Sequence, residues 1–446
     1  MRRTAQMLSE TAKNIFHESL LSVDAGDAVK RAVRIDGSHL VVCNDRFALG
    51  SGEQKLYVVS IGKAAFRMAA AFDEIAGPWI KGGVVSGDSS GAEAATLGPK
   101  WETFIGGHPL PNGESLASAE SSLAMLSEAD TKDSMVVFLI SGGGSAMMEM
   151  PRAGIMLDDL RTLNYVLVTS GAAISEINAV RRAVSEVKGG GLSKRSSKAR
   201  QISLIISDTA AGDITSVASG PSVIPSGELP DAYKVIEKYS LEMHLPESVM
   251  RTINPTIVER TAAVEIDSRI YVLLDNESMI SEAGEIANKL GFIVTTDRPP
   301  EDLDIASGCN ILYSQLLELL ATAEAGRTVC LISGGEFGCK VKGNGTGGRN
   351  SETVLRLALL ANDEGSLSEF AFLSCGTDGI DGNSPPPGAA ADETTLFRAA
   401  KIGLDPERYL GSSDSFSFFE RVGDAVVTGP TGTNVRDIRI LMARKN

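Results

Sequence analysis

Short, mostly apolar runs recur along this chain, each followed by glycines and small polar residues and then by a stretch with helical spacing. Tyr57–Ile61 precedes Gly62-Lys63, Val136–Ile140 precedes Ser141-Gly142-Gly143-Gly144, and Ile202–Ile206 precedes Ser207-Asp208. In the second half, Val329–Ile332 precedes Ser333-Gly334-Gly335-Glu336, and Phe370–Leu373 comes just before Gly376-Thr377-Asp378-Gly379. Mostly apolar runs of this length are strands covered on both faces, and their alternation with helices predicts α/β architecture with largely parallel sheets. Such sheets bind ligands beyond the carboxyl ends of their strands, where nearly all the notable polar residues of this chain fall.

A length of 446 residues exceeds one ordinary core, so two domains are expected. The stretch Gly227–Pro255, rich in proline and polar residues around two short helical patterns, is the best break. It divides the chain into two Rossmann-like α/β domains, 1–245 and 246–446, the last strand being free to pack back on the first. An inter-domain active-site cleft is then the default expectation. Leu-Ile-Ser-Gly-Gly occurs twice, at Leu139–Gly143 and at Leu331–Gly335, through either duplication or convergent strand-to-turn chemistry.

Charge narrows the partners. Lys+Arg of 42 against Asp+Glu of 57 leaves a net −15, which argues against nucleic acid but not against a small anion held by local cations. The five cysteines are scattered without C-x-x-C pairing, as in a reducing, cytoplasmic setting, and four dispersed histidines do not form a histidine metal site. The first residues read as an amphipathic helix interrupted by Glu10, Lys13 and His17, not as a secretory signal. No apolar segment approaches the roughly 18 residues of a membrane span.

The candidate chemistry sits in the loops. Lys63, between a strand and a helix over 64–73, can reach back toward a phosphate at the helix start, although a solvated loop lysine is the plainer reading. Ser141-Gly142-Gly143-Gly144-Ser145 can converge backbone N–H groups on an anion, and a tight turn rarely needs three glycines. Lys188-Gly189-Gly190-Gly191 reads as a helix C-cap whose extra glycines imply close approach by something. Asp208 and Asp213 open a loop leading to Ser219-Gly220-Pro221 and suit either a Mg2+ already carrying phosphates or capping turns. Gly343 to Arg349 formally matches G-x-G-x-x-G, yet the next carboxylate, Asp378, lies too far on for a dinucleotide ribose. A glycine loop feeding Arg349 onto a helix start better suits a phosphate or carboxylate. Asp378 and Asp381, three apart in a glycine-rich loop, can hold metal or accept a hydroxyl proton.

Together these blocks resemble class II (MOFRL-family) glycerate kinases. Ser-Ile-Gly-Lys-Ala-Ala, Gly107–Pro111, Ser-Gly-Gly-Gly-Ser-Ala, Ala-Ser-Gly-Pro, Gly-Gly-Glu, Gly-Gly-Arg-Asn, Gly-Thr-Asp-Gly-Ile-Asp-Gly and Thr428–Val435 stand in the family's order over about residues 8–443. The resemblance implies phosphorylation of D-glycerate to 2-phosphoglycerate with ATP and Mg2+, and a MOFRL region from about Val329. It implies Lys63 and Arg349 as the essential cations, with Asp208 and Asp378 beside them as catalytic candidates. Ser141, Gly142, Gly143, Gly144, Ser145, Lys188, Gly220 and Glu336 become the expected nucleotide positions, and Asp213 and Asp381 the expected metal ligands. The expected partners are a small hydroxy acid and a nucleotide, with a homodimer possible and no membrane. Three blocks depart from the family pattern: Asp208–Asp213 has one aspartate fewer, Ser384-Pro385-Pro386-Pro387 replaces Thr-Asp-Ala-Ala, and Gly191 stands for an arginine. The alternatives are an NAD(P)H-dependent hydroxypyruvate reductase and a non-catalytic ligand-binding regulator.

Overall fold

The structure is a computed structural model that describes residues 2–49, 55–89, 96–210, 212–225, 229–254, 265–299 and 303–446. The chain forms two compact units, Ala25–Leu273 and a second made of Met1–Asp24 with Leu274–Asn446. The boundary expected at 245/246 falls inside the first of these units, and the first residues cluster with the second unit instead of the first. Gly227 and Pro255, the ends of the expected break, lie outside the described residues. Between them, helices Ala232–Lys238 and Glu247–Ile253 bury Val235, Ile236, Val249 and Ile253 with Leu160, Leu163, Leu167 and Val180 of two earlier helices. Prolines and polar residues there cover a small core of their own, which composition alone does not reveal.

In Ala25–Leu273, strands β1 (Val33–Asp36), β2 (His39–Val42) and β3 (Asp45–Ala48) form an antiparallel meander. The main sheet contains β4 (Leu56–Ile61), β5 (Ile80–Gly87), β6 (Trp101–Ile105), β7 (Met135–Ile140), β8 (Arg200–Ile206) and β9 (Ser268–Leu274), in the order β6-β5-β4-β7-β8-β9. The pairs among β6, β5, β4, β7 and β8 are parallel, as the apolar runs predicted. All six residues of β4 and of β7 are buried. Tyr57, Val59 and Ile61 pack with Phe138, Ile140 and Leu126 in one core, so truncating Phe138 to alanine would cost about 3–5 kcal/mol. Helix Ala65–Ala76 is rich in alanine, buries Phe66, Met68 and Phe72, and stops at Gly77-Pro78, where proline denies the next turn its donor. The order of strands matters for function. Chain progress runs outward from β4 through β5 to β6, then restarts at β7 and runs the other way, so the topological switch lies between β4 and β7.

The other unit carries a mixed sheet: β10 (Ile293–Asp297), β11 (Thr328–Gly334), β12 (Phe370–Gly376), β13 (Gly388–Asp392), β14 (Ala425–Val426) and β15 (Asp437–Arg444), ordered β10-β11-β15-β12-β13-β14. Only β10 and β11 pair in parallel; the other pairs are antiparallel. The expectation of a largely parallel second sheet is therefore corrected, and so is the option of the last strand joining the first domain. An apolar run reports that both faces are covered, not which way the strand points. β15 enters between β11 and β12 with seven of eight residues buried. The N-terminal helix Arg2–Ser22 packs against β12, β13 and β15 through a face that includes the buried Ala12, Ile15 and Phe16. Glu10 and Lys13 pair with each other on its outer side at 2.9 Å, so these charges do not interrupt the buried stripe.

Candidate active site

Lys63 follows β4 and the triple-glycine loop follows β7, so the two strongest motifs of Ala25–Leu273 meet at the switch point. The two turns interlock through their backbones. The Lys63 N–H donates to the Gly142 carbonyl at 2.9 Å, and the Ala64 N–H donates to Ser141 Oγ at 3.0 Å. The absence of side chains is required by what the turns enclose. A Cβ on Gly142 would lie 1.9 Å from Asp208 Oδ2, and one on Gly143 would lie 3.1 Å from Lys63 Cγ and 3.2 Å from His108 Cδ2. Gly143 also has φ 80°, a left-handed conformation natural to glycine. Lys63, Asp208 and the exposed His108 thus surround one loop, with Ser145 a turn further on. Ser145 and Ser219 hydroxyls lie 2.7 Å apart, and Ser219 donates on to Asn178 Oδ1 at 2.9 Å. Ala218 and Ser219 hold positive φ values of 50° and 61° without being glycines, strain of the sort that collects at functional loops.

Asp213 accepts from the Thr215 hydroxyl at 2.8 Å, and its carbonyl accepts from Thr209. Arg182 lies close enough for Asp213 to oppose the fall in its pKa that burial causes. Gly220 has φ 66° and turns the chain against the Thr215 carbonyl; its own amide bonds to Val217.

Lys188 does not end a helix. The helix expected to end there runs only from Ile174 to Ala183, so Gly189 is not its cap. The Lys188 amino group is buried on the Glu149 carboxylate, whose other oxygen accepts from Ser185 Oγ at 2.5 Å. Burial pulls the lysine pKa down against that attraction, and its charge is used up internally. The neighbouring glycines do accommodate close approach, but the approaching groups belong to the chain: Arg182 at Gly189, Ile224 at Gly190 and the Glu186 carbonyl at Gly191.

In the mixed-sheet unit, the antiparallel β15 begins at the edge where β11 and β12 end, with Asp437 opposite Gly376 and Ile438 opposite Gly334. This delivers Asp437 to Arg349, the first residue of helix Arg349–Glu364. Arg349 binds Asp437 through Nε at 2.5 Å and Nη2 at 3.2 Å, and Glu336 through Nη2 at 2.8 Å. Burial would lower the guanidinium pKa, but the Asp437 and Glu336 carboxylates outweigh it and hold the charge on. Glu336 is therefore a partner of Arg349, with Arg436 3.9 Å away. Its turn is pinned from below by Arg439, which donates to the Gly334 and Gly335 carbonyls at 2.7 and 2.9 Å and stacks 3.7 Å over Phe337. Burial draws the Arg439 pKa down to about 10.

Asp381 is held by the start of the same helix. One oxygen accepts from the Asn350 N–H at 2.9 Å, the other from the Ser351 N–H at 2.8 Å and the Ser351 hydroxyl at 2.7 Å. It caps the helix that carries Arg349. Burial nevertheless pushes its pKa up to about 6, against those donors. Asp378 accepts from the Ile380 N–H at 3.2 Å in its own turn. Among the described residues no group of three or more His, Cys, Asp or Glu is placed to hold a metal ion. Asp437 and Arg439 carry no signal in the sequence, and Ser219 is legible there only as part of its glycine-proline loop. Asp437 follows the Thr428–Val435 block, and only its arrival opposite Gly376 reveals its role.

The Domain of unknown function (DUF4147) family matches residues 11–254, and the MOFRL family matches residues 329–437. The chain belongs to the glycerate kinase family defined by these two regions. It is 35% identical over 393 residues to the D-glycerate 2-kinase of Thermotoga maritima, covering 86% of this chain and 90% of that one. A crystal structure of glycerate kinase from that organism superposes with a TM-score of 0.82 at 30% identity, covering 98% of this chain and 100% of the other. A protein of Agrobacterium vitis named putative hydroxypyruvate reductase is 33% identical, with 86% of each chain covered. Among the described residues no helix is long and apolar enough to cross a membrane.

Proposed function

We propose that the chain is an ATP-dependent kinase that phosphorylates D-glycerate to 2-phosphoglycerate. The observation that carries this reading is the meeting of Lys63, the triple-glycine loop and Asp208 at the switch point of the parallel sheet. The loop would hold phosphate oxygens, and Lys63 would neutralise charge on the transferring group. The glycerate 2-hydroxyl oxygen attacks the γ-phosphorus, the bond to the β-γ bridging oxygen breaks, ADP leaves, and Asp208 takes the hydroxyl proton. Asp208 is preferred to Asp378 as base because it lies against the triple-glycine loop that Lys63 also borders. Arg349, fixed by Asp437 and Glu336, is the second candidate cation. Mg2+ enters as part of the nucleotide substrate, a role that asks only one or two carboxylates of the protein. Asp213 fits it, with Asp208 kept for the proton, whereas both Asp381 oxygens are engaged by Asn350 and Ser351.

The test is ADP release from Mg·ATP with D-glycerate, run beside NADH oxidation with hydroxypyruvate. Glycerate-dependent ADP release should fall by about 10³-fold in Lys63→Ala, on the scale of removing a transition-state charge partner. Oxidation of NADH without any ADP would sink the kinase reading.

A further inference from the structure

Ala25–Leu273 carries a second concavity, lined by neither Lys63 nor the triple-glycine loop nor Asp208. It is a cavity of about 1450 Å³ bordered by Arg152, Arg182, Lys194, Arg195 and Arg251. Two carboxylates, Glu186 and Asp231, face the same space, with Ile224 and Tyr233 on an apolar side. Lys188 also borders it, with its charge taken up by Glu149, so five further cations against two anions make a sharp local reversal in a chain of net charge −15. Converging guanidinium groups on a concave wall focus a positive potential and match the forked oxygens of a phosphate. The ion pairs at hand are loose and solvent-facing: Arg152 lies 3.9 Å from Glu186 and Arg251 3.6 Å from Glu247, all four side chains more than half exposed.

We propose that this cavity binds a small phosphate-bearing polyanion, a diphosphate or a phosphate ester, at a site separate from the Lys63 cluster. Its floor is shared with the catalytic loops. Gly189 and Gly190 N–H groups donate to the Ser219 and Gly220 carbonyls at 3.1 and 2.7 Å, and Ser219 is the residue that meets Ser145. Arg182, on the cavity side, is the cation that senses Asp213. A bound phosphate that attracts Arg182 loosens its pull on Asp213, so occupancy is expected to change the KM for Mg·ATP. Binding itself does not depend on the kinase reading; only this coupling does.

The probe is inorganic pyrophosphate, titrated calorimetrically into the full chain in 0.15 M NaCl without divalent metal. Saturable binding is expected in wild type and in Lys63→Ala alike, and at least tenfold weaker in the Arg152→Gln/Arg251→Gln double variant. Both of those side chains are largely exposed, so the variant should melt with wild type. If it melts lower, Arg195→Gln carries the same comparison, with at least a threefold loss expected. The proposal is overturned if no saturable binding survives 0.15 M salt, or if binding is lost in Lys63→Ala and unchanged in the arginine variants. The second result would put pyrophosphate in the catalytic loops, leaving glycerate-dependent ADP release as the independent measure of the kinase.

Discussion

The pentapeptide Leu-Ile-Ser-Gly-Gly ends β7 in one unit and β11 in the other, and the two copies make the same turn for different purposes. In both, the second glycine is left-handed, φ 80° at Gly143 and 77° at Gly335. In both, the first glycine leaves room for a polar side chain from a neighbouring element. At Gly142 that side chain is the Asp208 carboxylate, and at Gly334 it is the Asn276 amide, whose Oδ1 would lie 2.0 Å from an added Cβ. The neighbours then diverge. Asn276 is buried, accepts from the Gly335 N–H at 2.8 Å and donates to the Val435 and Asp437 carbonyls, which locks the turn into its sheet. Asp208 remains partly exposed beside Lys63 and His108. One turn leaves a carboxylate beside a lysine at an open face; the other is a bracket for Arg349. The lesson is that a glycine turn after a buried strand creates a slot, and the residue filling the slot decides its use.

The largest expected difference lies between the two cations. Lys63→Ala and Arg349→Ala should both reduce turnover by about 10³-fold, but only the second should also lower the melting temperature clearly. Removing Arg349 leaves the buried Asp437 carboxylate short of a counter-charge, a loss of about 2–3 kcal/mol after allowing for the partial exposure of Arg349. Asp437→Asn added to Arg349→Ala should restore part of that stability and none of the activity. Equal melting temperatures for the two single variants would remove the contrast drawn between them.

The glycine slots give a smaller and opposite pair of effects. Gly142→Ala should displace Asp208 and cut kcat by about 10²-fold with little change in melting, because a carboxylate at a partly open site can move aside. Gly334→Ala meets Asn276 and Ile280 in the interior and should lower melting by several degrees, on the scale of a core overpacked by one carbon. Calorimetric melting and steady-state rates on the same two variants decide this, and swapped outcomes would reverse the assignment of slot and bracket.

The mildest effect concerns pH. Asp381, pushed up to about 6 by burial, keeps its proton in the folded chain at pH values where an unfolded aspartate has lost it. The native state then binds more protons, so stability falls as pH rises from about 4 to about 6 and levels off above, by at most about 3 kcal/mol. Melting curves across that range should show the decline in wild type and a flatter profile in Asp381→Asn.

Much of this was legible in the chain itself. Mostly apolar runs fix buried strands whatever their surroundings, and glycines with a lysine or arginine beside them mark where backbone can come close to an anion. Lys63, Asp208 and the Ser141–Ser145 loop stand out that way, because all three lie within a few residues of a strand end. Tertiary structure decided the rest. A buried strand looks the same in either direction, so only pairing showed β15 entering antiparallel between β11 and β12 and carrying Asp437 to Arg349. A lysine or aspartate next to glycines looks the same whether its charge faces solvent or another charge. Lys188 turned inward to Glu149 and Asp381 to the helix amides of Asn350 and Ser351, since a buried charge is tolerable only with such partners, and those partners are distant in sequence.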